Sequence, residues 1–163
     1  MPVDDIAIPG FDNLEGVELV QKLPLFRTLT FEETRRLFAI AQPRRYAAGE
    51  VLIEESALGE ALFIIRAGEV EVTRGGHPLG RCGPGELLGE MSLVDDVLTA
   101  GQVEAKVACE VLYIPRAAFN DLMAADLPLA VKVYKAFSRT LADRLRHANT
   151  LLPDEQAMPQ GVL

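Results

Sequence analysis

The chain has 163 residues, 49% of them hydrophobic and 25% charged, with a formal net charge of −8. That length fits one domain able to bury a core. The charge speaks against sequence-independent binding to nucleic acid or to an anionic membrane surface, which both need clustered Lys and Arg, and no apolar run reaches the roughly 18 residues of a membrane span.

The opening residues 1–13, "MPVDDIAIPGFDN", lack the basic stretch and apolar core of a secretion signal and are expected to form a flexible arm. Cys82 and Cys109 have neither CxxC spacing nor paired histidines beside them. They read as reduced thiols of a cytoplasmic protein. From Leu14 to Gln42 the pattern is of short helices. Thr30 precedes "FEETRRLF" with Glu33 three residues on, a capping box. Leu37, Ile40 and Ala41 share a face, and Pro43 is expected to end the helix.

Ten of the thirteen glycines fall between Gly49 and Gly101, so the middle of the chain should be short strands punctuated by turns. Val51 to Glu55, Ala61 to Gly76 and Ala100 to Pro115 are rich in Val, Ile, Phe and Tyr. In "EVEVTRGG" Val70 and Val72 point one way and Glu69, Glu71 and Thr73 the other. Gly75-Gly76 suits a two-residue hairpin turn. Two helices follow. Pro115 fits the first turn of "RAAFNDLM", and a longer helix starts near Pro128. Leu129, Val133, Phe137, Leu141 and Leu145 repeat every four residues along it. The fold class is therefore mainly β with flanking helices: a β-roll over about 43–115, helices over about 116–150, and a polar tail at 151–163.

One stretch carries the chemistry. "LLGEMSLVDDVLTAGQVEA", Leu87 to Ala105, offers a glycine followed by a short helical turn with free N–H groups, the kind of cradle that holds an anion. Yet from Cys82 to Ala105 there is no Lys, Arg or His, and there are five acids, Glu86, Glu90, Asp95, Asp96 and Glu104.

The order of elements and the local wording resemble the cyclic-nucleotide-binding domain family, which includes the sensor halves of bacterial cAMP-responsive transcription regulators and the regulatory subunits of cAMP-dependent kinase. The matching pieces are "LPLFRTLT", "AAGEVLIEES", "GEALFIIRAGEVEV", "GPGELLGEMSLV" and "TAGQVEA", continuing through "VLYIPRAAFNDLM" into the last helix. They run from about residue 20 to 150, so the domain is placed at 14–150. The resemblance implies an eight-stranded double-stranded β-helix of jelly-roll type. It also implies a non-enzymatic regulatory role with cAMP or cGMP as ligand and no other cofactor. Gly89 and Glu90 match the start of the family's phosphate-binding cassette. By that resemblance Glu90 would accept a hydrogen bond from the ribose 2′-hydroxyl, and the amides of Met91 and Ser92 would face the cyclic phosphate. Thr99 and Ala100 match its end.

The residue before Thr99 departs from the pattern: the family's arginine is Leu98. A hydrogen bond to a charged group is worth about 1.5–3 kcal/mol, so its loss should weaken nucleotide binding by one to two orders of magnitude or abolish it. Ser56-Ala57 stands where the family has Gly-Asp, and Leu88 where it has Phe. Two accounts of position 98 remain open: an apolar plug in the pocket, or a cation supplied instead by Arg81, Arg66 or Arg74. His77 in a turn and His147 near a helix end form neither a metal cluster nor a triad, so no metal and no catalysis are expected. The helical stripe implies a homodimer, with Val133, Phe137, Leu141 and Leu145 as seam or lid and Phe137 near the middle. Eleven residues follow Leu152, so no helix-turn-helix DNA-binding output is expected. The alternative to a sensor is a nucleotide-independent protein-interaction module on the same fold.

Overall fold

Thr30 accepts a hydrogen bond from the Glu33 amide at 3.2 Å, and the Glu33 carboxylate accepts one from the Thr30 amide at 2.8 Å. This reciprocal cap opens helix α1, Phe31–Ala39, and buries Leu37 and Phe38 on its inner face. The computed structural model describes residues 23–151; the expected arm, residues 14–22 and the tail after Leu151 lie outside the described residues. Helix α1 stops at Ala39, before Pro43. That proline sits instead in β1, Gln42–Tyr46, the edge strand of its sheet, where a missing N–H is tolerated.

The remaining strands are β2 (Val51–Ile53), β3 (Ala61–Ala67), β4 (Val70–Arg74), β5 (His77–Cys82), β6 (Leu87–Leu88), β7 (Gln102–Ala105) and β8 (Cys109–Pro115). They form two four-stranded antiparallel sheets, ordered β1-β8-β3-β6 and β2-β7-β4-β5. Gly75 and Gly76, at φ +55° and +78°, make the two-residue turn that pairs Arg74 with His77. The stretch Ala100 to Pro115 is not one strand. It breaks after Ala105, where the Lys106 amide donates to Glu69 O at 2.8 Å, and the chain crosses from one sheet to the other.

Strands β3 and β8 read as unbroken apolar runs because both of their faces are buried. Leu62, Ile64, Leu112 and Ile114 pack towards the helices, while Phe63, Ile65, Val111 and Tyr113 fill the roll. Helix α2, Glu90–Asp95, follows β6. Pro115 is the N-cap of α3, Arg116–Ala125, rather than a residue of its first turn. Asp126 caps α4, Leu127–Thr150, by accepting from the Leu129 amide at 3.1 Å.

Part of the stripe expected to form a seam on α4 lies inside the fold. Leu129, Val133 and Phe137 are fully buried against the roll, with Phe137 stacked on Phe119 at 5.9 Å. Phe137 is thus spent on the chain's own core and does not lie at the middle of an outer seam. The exposed large apolar positions of α4 are Leu127, Val131, Tyr134 and Leu145. With Ser138 and the half-buried Leu141 they alternate steps of three and four residues, the spacing of a coiled-coil seam. Among the described residues no helix is long and apolar enough to cross a membrane.

Candidate functional site

The cassette is built where β6 ends and α2 begins. Gly89 takes φ +86°, and a Cβ there would lie 2.5 Å from Ala61 O, so both the backbone twist and the close approach to β3 require glycine. The turn drives Glu90 and Ser92 inward, to 1% and 2% exposure, and leaves Met91 outside. Thr99 is also buried. Its hydroxyl accepts from the Ala57 amide at 3.0 Å and donates to Glu54 O, while its backbone exchanges hydrogen bonds with Ser56 and Ala57. The sequence register Thr99-Ala100 therefore serves first to stitch the cassette to the β2–β3 loop. Leu98 and Ala100 are exposed.

A small pocket lies between Gly89, Thr99, β2 and the loop Ala57–Ala61. It encloses about 90 Å³, against about 300–1,000 Å³ for pockets that bury a small-molecule ligand. Leu98 is not among the residues that line it, and its side chain is 54% exposed.

The charge of Glu90 is met from an unexpected direction. Arg144, eighteen residues into α4, donates through Nη1 to Glu90 Oε1 and through Nη2 to Leu87 O at 2.5 Å. Burial pushes the Glu90 carboxyl above its usual range, and the Arg144 guanidinium opposes that rise. The three arginines singled out in the sequence are not the partners of Glu90. Arg81 reaches Glu69 at 2.8 Å and Glu71 at 3.6 Å, Arg66 lies 3.9 Å from Glu110, and Arg74 is exposed beside the hairpin turn. Arg144 was legible in principle. It lies seven residues after Phe137 and so shares the buried face of α4, and a cation on a buried face needs an acid.

Two further struts hold the frame. Arg116, the first residue of α3, donates to Gly59 O at 3.1 Å and pairs with Asp96 at the end of α2. Lys132 on α4 donates to both Glu33 carboxylate oxygens, at 3.1 and 2.8 Å, tying α1 to α4. The half-buried Cys82 thiol is pushed up to about 11 by burial and by Glu86, so it stays protonated at neutral pH. Among the described residues no group of three His, Cys, Asp or Glu is placed to hold a metal ion.

The family model of the cyclic nucleotide-binding domain matches residues 43–126. A cyclic AMP receptor protein from Thermus thermophilus is 35% identical over 131 residues, 77% of this chain and 59% of that protein. A cAMP-dependent protein kinase regulatory subunit from Pyricularia oryzae is 27% identical over 112 residues, 68% of this chain and 29% of that protein. The chain thus spans less than two thirds of the length of these curated relatives. The crystal structure of the Thermus thermophilus catabolite activator protein superposes with a TM-score of 0.65 at 34% identity, covering 78% of this chain and 60% of that one.

Proposed function

This chain belongs to the cyclic nucleotide-binding domain family, and we propose that it is a regulatory module whose cassette grips cAMP and cGMP weakly and whose α4 helix reports the state of that cassette. The observation that carries the reading is the Arg144–Glu90 pair. Glu90 is the carboxylate that family likeness assigns to a ribose hydroxyl. A ligand that uses it must therefore compete with a guanidinium delivered by α4. The position of α4 and the occupancy of the cassette then become one linked equilibrium.

Weak affinity is supported by three features: Leu98 in place of the cassette arginine, the absence of any Lys, Arg or His between Cys82 and Ala105, and the 90 Å³ pocket. The chain carries no catalytic role in this reading, and its output passes through contacts of α4. The seam of Val131, Tyr134, Ser138, Leu141 and Leu145 supports a second copy as the first partner of that helix. Calorimetric titration with cAMP, cGMP and a cyclic dinucleotide tests the proposal. Dissociation constants weaker than about 1 μM are expected for the first two. Nanomolar binding, or full-strength binding that leaves α4 protected from hydrogen exchange as in the empty protein, overturns it.

A further inference from the structure

The outer surface of the cassette is apolar where a solvent-facing helix should be polar. Four of the eight residues from Met91 to Leu98 are large, apolar and 44–54% exposed: Met91, Val94, Val97 and Leu98. Met91 and Val94 are neighbours on α2, three residues apart. The inner face of that helix is already taken by Glu90, Ser92 and Leu93, so these two side chains have no place in the core.

Leu58, 74% exposed, joins the same surface from the β2–β3 loop. Two contacts place it there. Ala57 exchanges hydrogen bonds with Thr99, the neighbour of Leu98. A Cβ at Gly59 would collide with the Ser92 side chain, the neighbour of Met91. Five exposed large apolar side chains on two adjoining segments, with charged residues among them, are the pattern of an interaction site rather than ordinary scatter.

The exposed charges of the two segments that carry these side chains are acidic. Glu54, Glu60 and Asp95 are exposed around the patch, and the segment from Cys82 to Ala105 brings no base. The two arginines that reach the cassette, Arg116 and Arg144, are engaged by Asp96 and Glu90.

From this juxtaposition of five apolar side chains with exposed acids we propose that the cassette surface docks a basic amphipathic segment of a partner protein. The partner's apolar face covers Leu58, Met91, Val94 and Leu98, and its Lys or Arg side chains meet Glu54, Glu60 and Asp95. Leu58, Glu54 and Glu60 also border the small pocket, but Met91, Val94, Val97, Leu98 and Asp95 lie outside its lining, so the docking rests on the outer face of the cassette and does not require that any nucleotide bind.

Selection of random peptides of helical length from a display library on the immobilised chain tests this, followed by fluorescence anisotropy with the enriched peptides. The expected peptides are basic and amphipathic. Their binding weakens about tenfold or more when Val94→Ser and Leu98→Ser are combined, and several-fold with Asp95→Lys. It is unchanged by Leu79→Ser on β5, 60% exposed and outside the cassette. The substituted positions are exposed, so these variants keep the fold. Enriched peptides without Lys or Arg, equal binding to the Val94→Ser/Leu98→Ser variant, or no enrichment over a blank surface overturns the proposal. So does wild-type self-association that the same double variant dissolves, because the occupant is then a second copy of the chain. A failure here leaves the nucleotide titration unaffected, and the reverse also holds.

Discussion

Replacing Arg144 by Ala removes the cation from a carboxylate that is 1% exposed, and the cost follows from what Glu90 can do next. An ionised carboxylate left alone in that site would be worse than a neutral one, so the folded variant takes up a proton. For a carboxyl with the ordinary value of 4.5, protonation at pH 7 spans two and a half pH units at about 1.36 kcal/mol each, or about 3.4 kcal/mol. That figure is a ceiling, because burial already holds Glu90 above 4.5 in the intact protein. The lost hydrogen bond to Leu87 O adds about 1 kcal/mol at every pH. In the variant the folded value of Glu90 rises further above the unfolded one. A carboxyl shifted in that direction contributes its full stability below the unfolded value and loses it as pH rises through the folded value. The penalty of Arg144→Ala should therefore be smallest at acid pH, about 1 kcal/mol, and grow as pH rises towards neutral. Urea unfolding at a series of pH values measures this. In a Glu90→Gln background the same substitution should cost only the flat part. A penalty that is equal at pH 5.5 and 7, or that survives undiminished in the Glu90→Gln background, refutes the assignment of Arg144 as the charge partner of Glu90.

Leu98→Arg should tighten cAMP binding by about one to two orders of magnitude, since position 98 is exposed and keeps the cassette register; calorimetry that finds no gain shows that the small pocket, not the missing cation, limits affinity. Gly89→Ala should destabilise by about 2 kcal/mol or more, a fall in Tm of roughly 4–8 °C, because the left-handed backbone and the Ala61 carbonyl both reject a methyl group. The Lys132 ammonium and the Thr30 amide hold the Glu33 carboxyl below its usual range. Glu33→Gln keeps the cap but loses the ion pair, so it should cost less than about 1 kcal/mol at neutral pH, and the difference should vanish as pH falls through the lowered folded value, as unfolding midpoints at pH 7 and at acid pH will read. Tyr134→Asp should turn a wild-type dimer into a monomer in sedimentation at tens of micromolar; a wild-type monomer there removes the α4 seam from the proposal.

Local patterns in the sequence were enough for the elements that depend on neighbours along the chain. The Thr30–Glu33 cap, the Gly75-Gly76 turn and the four-residue stripe of α4 are set by hydrogen bonds and side chains within a few residues of one another. The apolar runs of β3 and β8 were equally plain, because strands buried on both faces cannot alternate. Strands β1 and β5 left no such trace, since exposed edge strands such as "QPRRY" and "HPLGRC" take their form from the strand they pair with. At the site, sequence alone marked Gly89 and Glu90 and the departure at Leu98. It could not say that Leu98 faces outward, that the Thr99 hydroxyl is spent on the β2–β3 loop, or that the cation beside Glu90 is Arg144. Those facts depend on residues 42 to 54 positions apart in the chain meeting in space. The stripe on α4 shows the same division. Its period is fixed by the helix itself, but whether Phe137 faces a partner or the chain's own core is decided only where α4 lies against Phe119 and the roll.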